Sequence, residues 1–137
     1  MNGRTYLSRF KRHLKHACEY ISKGDYIQFS EKLWGAVTAL NNYYYLNRYG
    51  RETVSIDEKK KAFVDLFREM SIYDKTLLSD IDLITITGKP EDVFDLLLGL
   101  HRYFYGAYDL PSPNIHHIFE RLLSMLSKIG RLTQRFL

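Results

Sequence analysis

Residues 24–45, GDYIQFSEKLWGAVTALNNYYY, decide the fold. Leu33, Val37, Leu40 and Tyr44, with Ala36 beside them, recur at helical spacing and form one apolar stripe. Trp34, Thr38, Asn41 and Tyr45 repeat that spacing about 100° further around the axis. A helix patterned in this way serves two neighbours. Its first face belongs to a core, and its second, aromatic and polar, is the place to look for function. Trp34, Asn41 and Tyr45 are the candidate residues on that face, with Glu31 and Lys32 at its start.

Upstream, Leu7, Phe10, Leu14, Ala17 and Ile21 step by three and four, which predicts an amphipathic helix over residues 4–22. Lys23-Gly24-Asp25 ends it: the glycine can take the left-handed conformation and the aspartate can cap a second helix. An antiparallel hairpin results, with residues 26–47 as its second arm. Gly35 inside that arm is unfavourable unless another backbone approaches there.

Downstream, residues 47–55 read as a polar loop turning at Gly50. Ser55 and Glu58 then have the spacing of a capping box, in which each side chain satisfies a free backbone amide of the other. Ala62, Phe63, Leu66, Phe67 and Met70 give the third helix its apolar face, and Lys59, Lys60 and Lys61 its solvated side. A short helix over 74–82 carries Leu77, Leu78 and Ile81. Leu83 to Thr87 alternate like a strand but have no second run to pair with, and are read as an extended connector or a helix end. Gly88-Lys89-Pro90-Glu91-Asp92 restarts a helix over 90–106, apolar around more than half its circumference, so it is central or covered by a second subunit. Pro111 to Pro113 form a turn. Ile115, Ile118, Leu122, Met125, Ile129, Leu132 and Phe136 then keep a three-four repeat to the end, as a core stripe or a dimer seam. These elements amount to an all-α, antiparallel up-and-down bundle of five or six helices forming one domain over 1–137.

Composition narrows the function. A chain of 137 residues with 45% hydrophobic and 26% charged residues is ordinary for a globular protein and does not suggest disorder, and no apolar run is long enough to span a bilayer. One cysteine, Cys18, excludes an internal disulfide and a multi-cysteine zinc site, and fits a reducing cytoplasm; next to Ala17 it is expected to be packed. Eleven tyrosines exceed what a core needs, so several are expected at a groove or subunit interface. The net charge of +4 is mild. Its placement is less so: Arg4, Arg9, Lys11, Arg12 and Lys15 occupy the first sixteen residues without an acid, and Arg121, Lys128, Arg131 and Arg135 the last seventeen. If both ends share one side of the fold, that side faces phosphates.

The chain contains no phosphate loop, dinucleotide fingerprint or nucleophile elbow. His116-His117 with Glu120 supplies too few ligands for a metal, and His13 and His16 read as surface residues. No cofactor is implied. His101 and Tyr105 lie one turn apart on one face, and join the 34/41/45 stripe as candidates; rings for base stacking, an amide for base edges and Lys32 for phosphate would then share a groove. The structural alternative is an interhelical polar network that fixes register.

The order KGDYIQFSEKLWGAVTAL, a long loop and third helix, then LHRYFYGAYDLP and a final amphipathic helix resembles the archaeal PaREP-type proteins, members of the wider helical superfamily called HEPN, for higher eukaryotes and prokaryotes nucleotide-binding. The likeness runs from about Lys23 onward and rests on G-D-Y-x-x-x-S-E-K-L-W and L-H-x-x-F-Y; the first also resembles half of a tetratricopeptide hairpin. The resemblance implies a symmetric dimer and a nucleotide or RNA ligand. Ribonuclease members carry an arginine and then a histidine, separated by four to six residues, on a late helix. The late helices here have no such pair, and Arg9 with His16 on the first helix is the one pair at that spacing. The expectation is a non-catalytic homodimeric module that binds a nucleotide or RNA. The alternatives are a module whose groove takes a protein partner's helix, and a degenerate ribonuclease using Arg9 and His16.

Overall fold

The computed structural model describes residues 2–103 and 114–137. Among them are six helices and no strand: α1 (Gly3–Ser22), α2 (Tyr26–Tyr49), α3 (Ile56–Tyr73), α4 (Thr76–Asp82), α5 (Pro90–Tyr103) and α6 (Asn114–Phe136). The all-α bundle expected from periodicity is the fold. No helix among the described residues is long and apolar enough to cross a membrane.

The α1–α2 hairpin forms as its punctuation requires. Gly24 takes φ 72° and Asp25 accepts the Gln28 N–H at 3.1 Å. Phe10, Ala17 and Ile21 bury against Leu33, Ala36, Val37 and Leu40, with Leu14 half-buried beside them. Gly35 is approached by a side chain and not by a backbone: the His13 ring lies so close that a β-carbon at 35 would meet it at 3.1 Å. Cys18, expected to be packed, is exposed, because the core stripe of α1 passes through Ala17 and Ile21 and leaves position 18 on the next face.

Gly50, at φ 73°, closes α2. The chain then doubles back, since Asn42 Oδ1 accepts both the Thr53 N–H at 3.0 Å and the Thr53 hydroxyl at 2.6 Å. Consequently α3 begins beside Asn41, where the Asn41 amide donates to Lys59 O at 3.1 Å, and it crosses the downstream half of α2 towards an Arg48–Glu69 ion pair. Only half of the expected capping box exists. Ser55 Oγ accepts the Glu58 N–H at 3.1 Å, but the Glu58 carboxylate takes the Val54 N–H at 2.8 Å and the Arg51 guanidinium at 2.5 Å, so it never returns to Ser55.

In α4, Leu77 and Ile81 point inward while Leu78 is exposed. Leu83 to Thr87 is a helix end followed by turns. Without a partner strand its amides close locally, as Thr85 N–H does on Ile81 O at 2.9 Å. After Gly88 (φ 65°), α5 runs antiparallel to α3, fixed by Lys60–Asp95 and Arg68–Glu91 pairs at 3.0 Å each. Its expected extension to residue 106 and the turn at 111–113 lie outside the described residues.

The core gathers Phe29, Phe63, Phe67, Phe94 and Phe119, all fully buried. On α6, Leu122, Met125 and Ile129 of the expected stripe are buried, Phe119 and Leu126 join them, and Phe136 is exposed, stacked on Tyr73 with centroids 3.8 Å apart. The buried face is wider than the stripe because α6 packs against α1, α2, α3 and α4 at once. Antiparallel to α1, it brings Gly130 against the Phe10 ring, where a β-carbon would lie 2.2 Å from Cε1. Tyr6, Tyr44 and Tyr45 are buried, Tyr44 on the core stripe expected of it. Burial and glutamate partners, Glu52 and Glu69, push the Tyr6 and Tyr44 phenols up to about 12.

Candidate functional site

The second stripe of α2 is divided by the crossing of α3. Its downstream half lies under α3. Asn41 is fully buried, its amide nitrogen on Lys59 O and its Oδ1 without a partner among the described residues. Tyr45 donates to Glu58 Oε2 at 2.8 Å, and its ring lies under the Arg51 guanidinium and against Tyr49. These hydrogen bonds, with that from Val54 N–H, hold the Glu58 carboxyl down to about 2, Arg51 contributing most. Asn41 and Tyr45 thus join α2 to α3, in the kind of network that fixes helix register.

The upstream half is not covered by α3 and runs between α5 and α1. Trp34, Thr38, Glu31, Gly35 and Lys32 fall within an arc of about 160° on α2, and all five are half-buried. At one edge the Trp34 indole stacks flat on the His101 imidazole of α5, centroids 5.1 Å apart and planes 13° off parallel, with Phe94 behind it at 5.6 Å. Glu31 Oε1 lies 3.1 Å from His101 Nδ1. The carboxylate there accepts the Nδ1 proton, and Nε2 has no partner among the described residues. Tyr105, expected one turn beyond His101, lies outside the described residues.

At the other edge the His13 ring rests on Gly35, its Nδ1 buried and unpaired among the described residues. Burial first, then the charges of Lys32, Arg12, His16 and Arg9, lower its pKa below 6.5. The surface reading of His13 is therefore corrected: the missing β-carbon of Gly35 lets the ring sink. Arg9, Arg12, His16 and Lys32 surround it as a cationic border. Arg9 and His16 share this side of α1 but lie about 10 Å apart along the axis, two turns, so neither is within hydrogen-bond reach of the other.

The structure therefore brings together Trp34 and His101, leaves Lys32 at the far edge beside His13, and sets Asn41 and Tyr45 apart from them. Sequence reasoning missed His13 as a member, and placed Glu31 at the start of the face without giving it a role. The signal for His13 was Gly35, a small residue in mid-helix that marks a close approach, and the helical register opposite it. The remaining histidine candidate is occupied: His116 Nδ1 bonds the Tyr26 hydroxyl at 2.8 Å and Nε2 pairs with Glu120 at 3.1 Å. Among the described residues no group of three metal-ligating side chains converges.

A family model described as the archaeal PaREP1/PaREP8 family matches residues 5–111, which takes in α1 to α5 and stops short of α6. No curated protein and no solved structure matches the chain.

Proposed function

The chain belongs to the archaeal PaREP1/PaREP8 family, and from that premise we propose that it is a non-catalytic, HEPN-like helical module that binds single-stranded RNA or a nucleotide in the open groove across the upstream half of α2. One observation carries the reading: the flat Trp34–His101 stack, held by Glu31, with Lys32, Arg12 and Arg9 gathered around His13 at the far edge of the same stretch of α2. A pre-ordered indole–imidazole pair offers a π-face to any base, and base–aromatic stacking contributes about 1–3 kcal/mol per base. The cationic border supplies the phosphate term, which is sequence-independent and salt-dependent. His101 Nε2 adds one acceptor for a base edge or a ribose hydroxyl.

Cleavage is not part of the proposal, because Arg9 and His16 stand about two turns apart on α1, too far for one to serve the other. Self-association into a homodimer is supported by the exposed apolar surface at the end of α3, where Ile72 is 74% exposed and Tyr73 and Phe136 stack in the open.

Trp34 is the sole tryptophan, so its emission reads the site directly. Short single-stranded RNA is expected to quench it, with the quenching reversed by salt. His101→Ala is expected to weaken binding by about tenfold. Emission unchanged at millimolar nucleotide, with bound RNA detected by another method, would place the ligand elsewhere. No binding at all would remove the reading. Light scattering at several concentrations tests the dimer, and a constant monomer mass would exclude it.

A further inference from the structure

We propose that a second site, for a small phosphorylated compound carrying a planar ring, lies between α1, α2 and α6. The cavity there has a volume of about 460 Å³ and is lined by Arg4, Leu7, Ser8, Lys11, Tyr43 and Gln134. That volume falls within the range of small-molecule pockets.

The lining follows from register. Positions 4, 7, 8 and 11 form one face of α1, and α6, antiparallel to it, presents Gln134 beside them. Gly3 seats the tyrosine: a β-carbon there would lie 3.0 Å from Tyr43 Cε2 and 3.2 Å from Cδ2, so the bare backbone lets the ring come down against the start of α1.

The charge at this place is uncompensated. Five cations elsewhere are engaged: Arg48 with Glu69, Arg51 with Glu58, Lys60 with Asp95, Arg68 with Glu91, and Lys128 with Asp80. Arg4 and Lys11 have no ion pair or hydrogen bond with any described residue, and neither have Ser8, Tyr43 or Gln134. The lining contains no acid. Glu52, which the neighbouring loop does bring to α1, faces Tyr6 and Arg9 on the opposite side of that helix.

Two uncompensated cations about 10 Å apart along the helix, with a hydroxyl between them, are placed to clamp a phosphate from both ends of their long side chains. An aromatic ring and Leu7 form the apolar part of the same wall, and an amide can donate to or accept from a ring substituent. A bare anion would use only half of this lining; a phosphorylated ring compound uses all of it. Tyr43 is nine positions from Trp34, half a turn around α2, so this site opens on the other side of the helix from the Trp34 groove.

The test is titration with inorganic phosphate, with the four ribonucleoside 5′-monophosphates and with the corresponding nucleosides, followed by calorimetry and by backbone amide resonances. At least one monophosphate is expected to bind more tightly than inorganic phosphate and to shift the amides of residues 4–11, 43 and 134, with an affinity at those residues that His101→Ala leaves unchanged. Nucleosides lacking the phosphate are expected not to bind. Arg4→Gln and Lys11→Gln, both at exposed positions, are each expected to weaken binding by about tenfold. Gly3→Ala, which displaces the Tyr43 ring, is expected to weaken the monophosphate while sparing inorganic phosphate. Binding indifferent to both charge substitutions, equal affinity for phosphate and every monophosphate, or no binding at millimolar concentration would each overturn the proposal.

Discussion

Replacing Gly130 by alanine tests the close approach of α6 to α1. In ordinary contact two carbons sit about 3.5–4.0 Å apart, yet an alanine β-carbon at 130 would lie 2.2 Å from Phe10 Cε1 and 2.4 Å from Cζ. One partner must therefore yield by more than about 1 Å. Phe10 is 4% exposed and part of the core cluster, so its ring cannot swing away without displacing neighbours. Overpacking of this kind costs about 3 kcal/mol at the upper end of its usual range, and the better helix propensity of alanine returns about 1 kcal/mol. The net expectation is a loss of about 2 kcal/mol. In a Phe10→Leu background Cε1 and Cζ are gone, and the same substitution is expected to stabilise by about 1 kcal/mol. The two differ by a coupling of about 3 kcal/mol. Urea unfolding followed by far-ultraviolet circular dichroism, with the slope unchanged between variants, measures both. Stabilisation of the unmodified protein by Gly130→Ala, or an equal effect in both backgrounds, would refute the steric conflict.

Three further outcomes are expected at the seams on α2. His13 has its folded-state pKa below 6.5, so the unfolded chain binds its proton first; stability is expected to be full above that pH and to fall as pH drops through and below it, and His13→Gln is expected to flatten this part of the urea-midpoint profile. Glu58, held at about 2, contributes stability that is present above 4.5 and lost as pH falls towards 2, so an acid titration of Glu58→Gln is expected to show a shallower decline than the parent over that window. Asn41→Ala removes the amide that ties α2 to Lys59 O, a carbonyl that keeps its own intrahelical N–H, and is expected to cost about 1 kcal/mol, detectable by the same urea assay; no loss would mean that this bond adds nothing to the α2–α3 seam.

Most of the helical order was legible because its signals are local. Gly24 with Asp25, Ser55 before the third helix, and Pro90 behind Gly88 each act within one turn, and each marks a boundary seen in the structure. The hairpin core was legible for the same reason: a short turn leaves two apolar stripes little choice but each other. What periodicity could not supply was the path of residues 50–55. Asn42 holding Thr53 is a contact between a helix side chain and a loop, and it decides that α3 covers Asn41 and Tyr45 while leaving Trp34 open. A stripe continuous in sequence therefore became two different surfaces. Cys18 and Phe136 illustrate a smaller limit, since a stripe predicts the middle of a buried face better than its edges. The Trp34–His101 pairing was anticipated as a shared groove, but its stacked geometry depends on the antiparallel placement of α5, which no local pattern encodes.

The Phe10–Gly130 contact also bears on the order in which the molecule assembles. The hairpin that seats His13 on Gly35 closes a loop of about twenty residues, whereas Phe10 waits for a partner about 120 positions away, a difference of about 1.5 kcal/mol in closure entropy. That is small for equilibrium and large for the order of events, because local contacts form before remote ones compensate for their closure. On a ribosome the first two helices are free to pair while Phe29 and Phe10 still face water, and they stay bare until Phe119 to Gly130 are made. The nascent hairpin thus carries an apolar surface without its cover through most of its synthesis, and that interval is when a chaperone or a second nascent chain would find it.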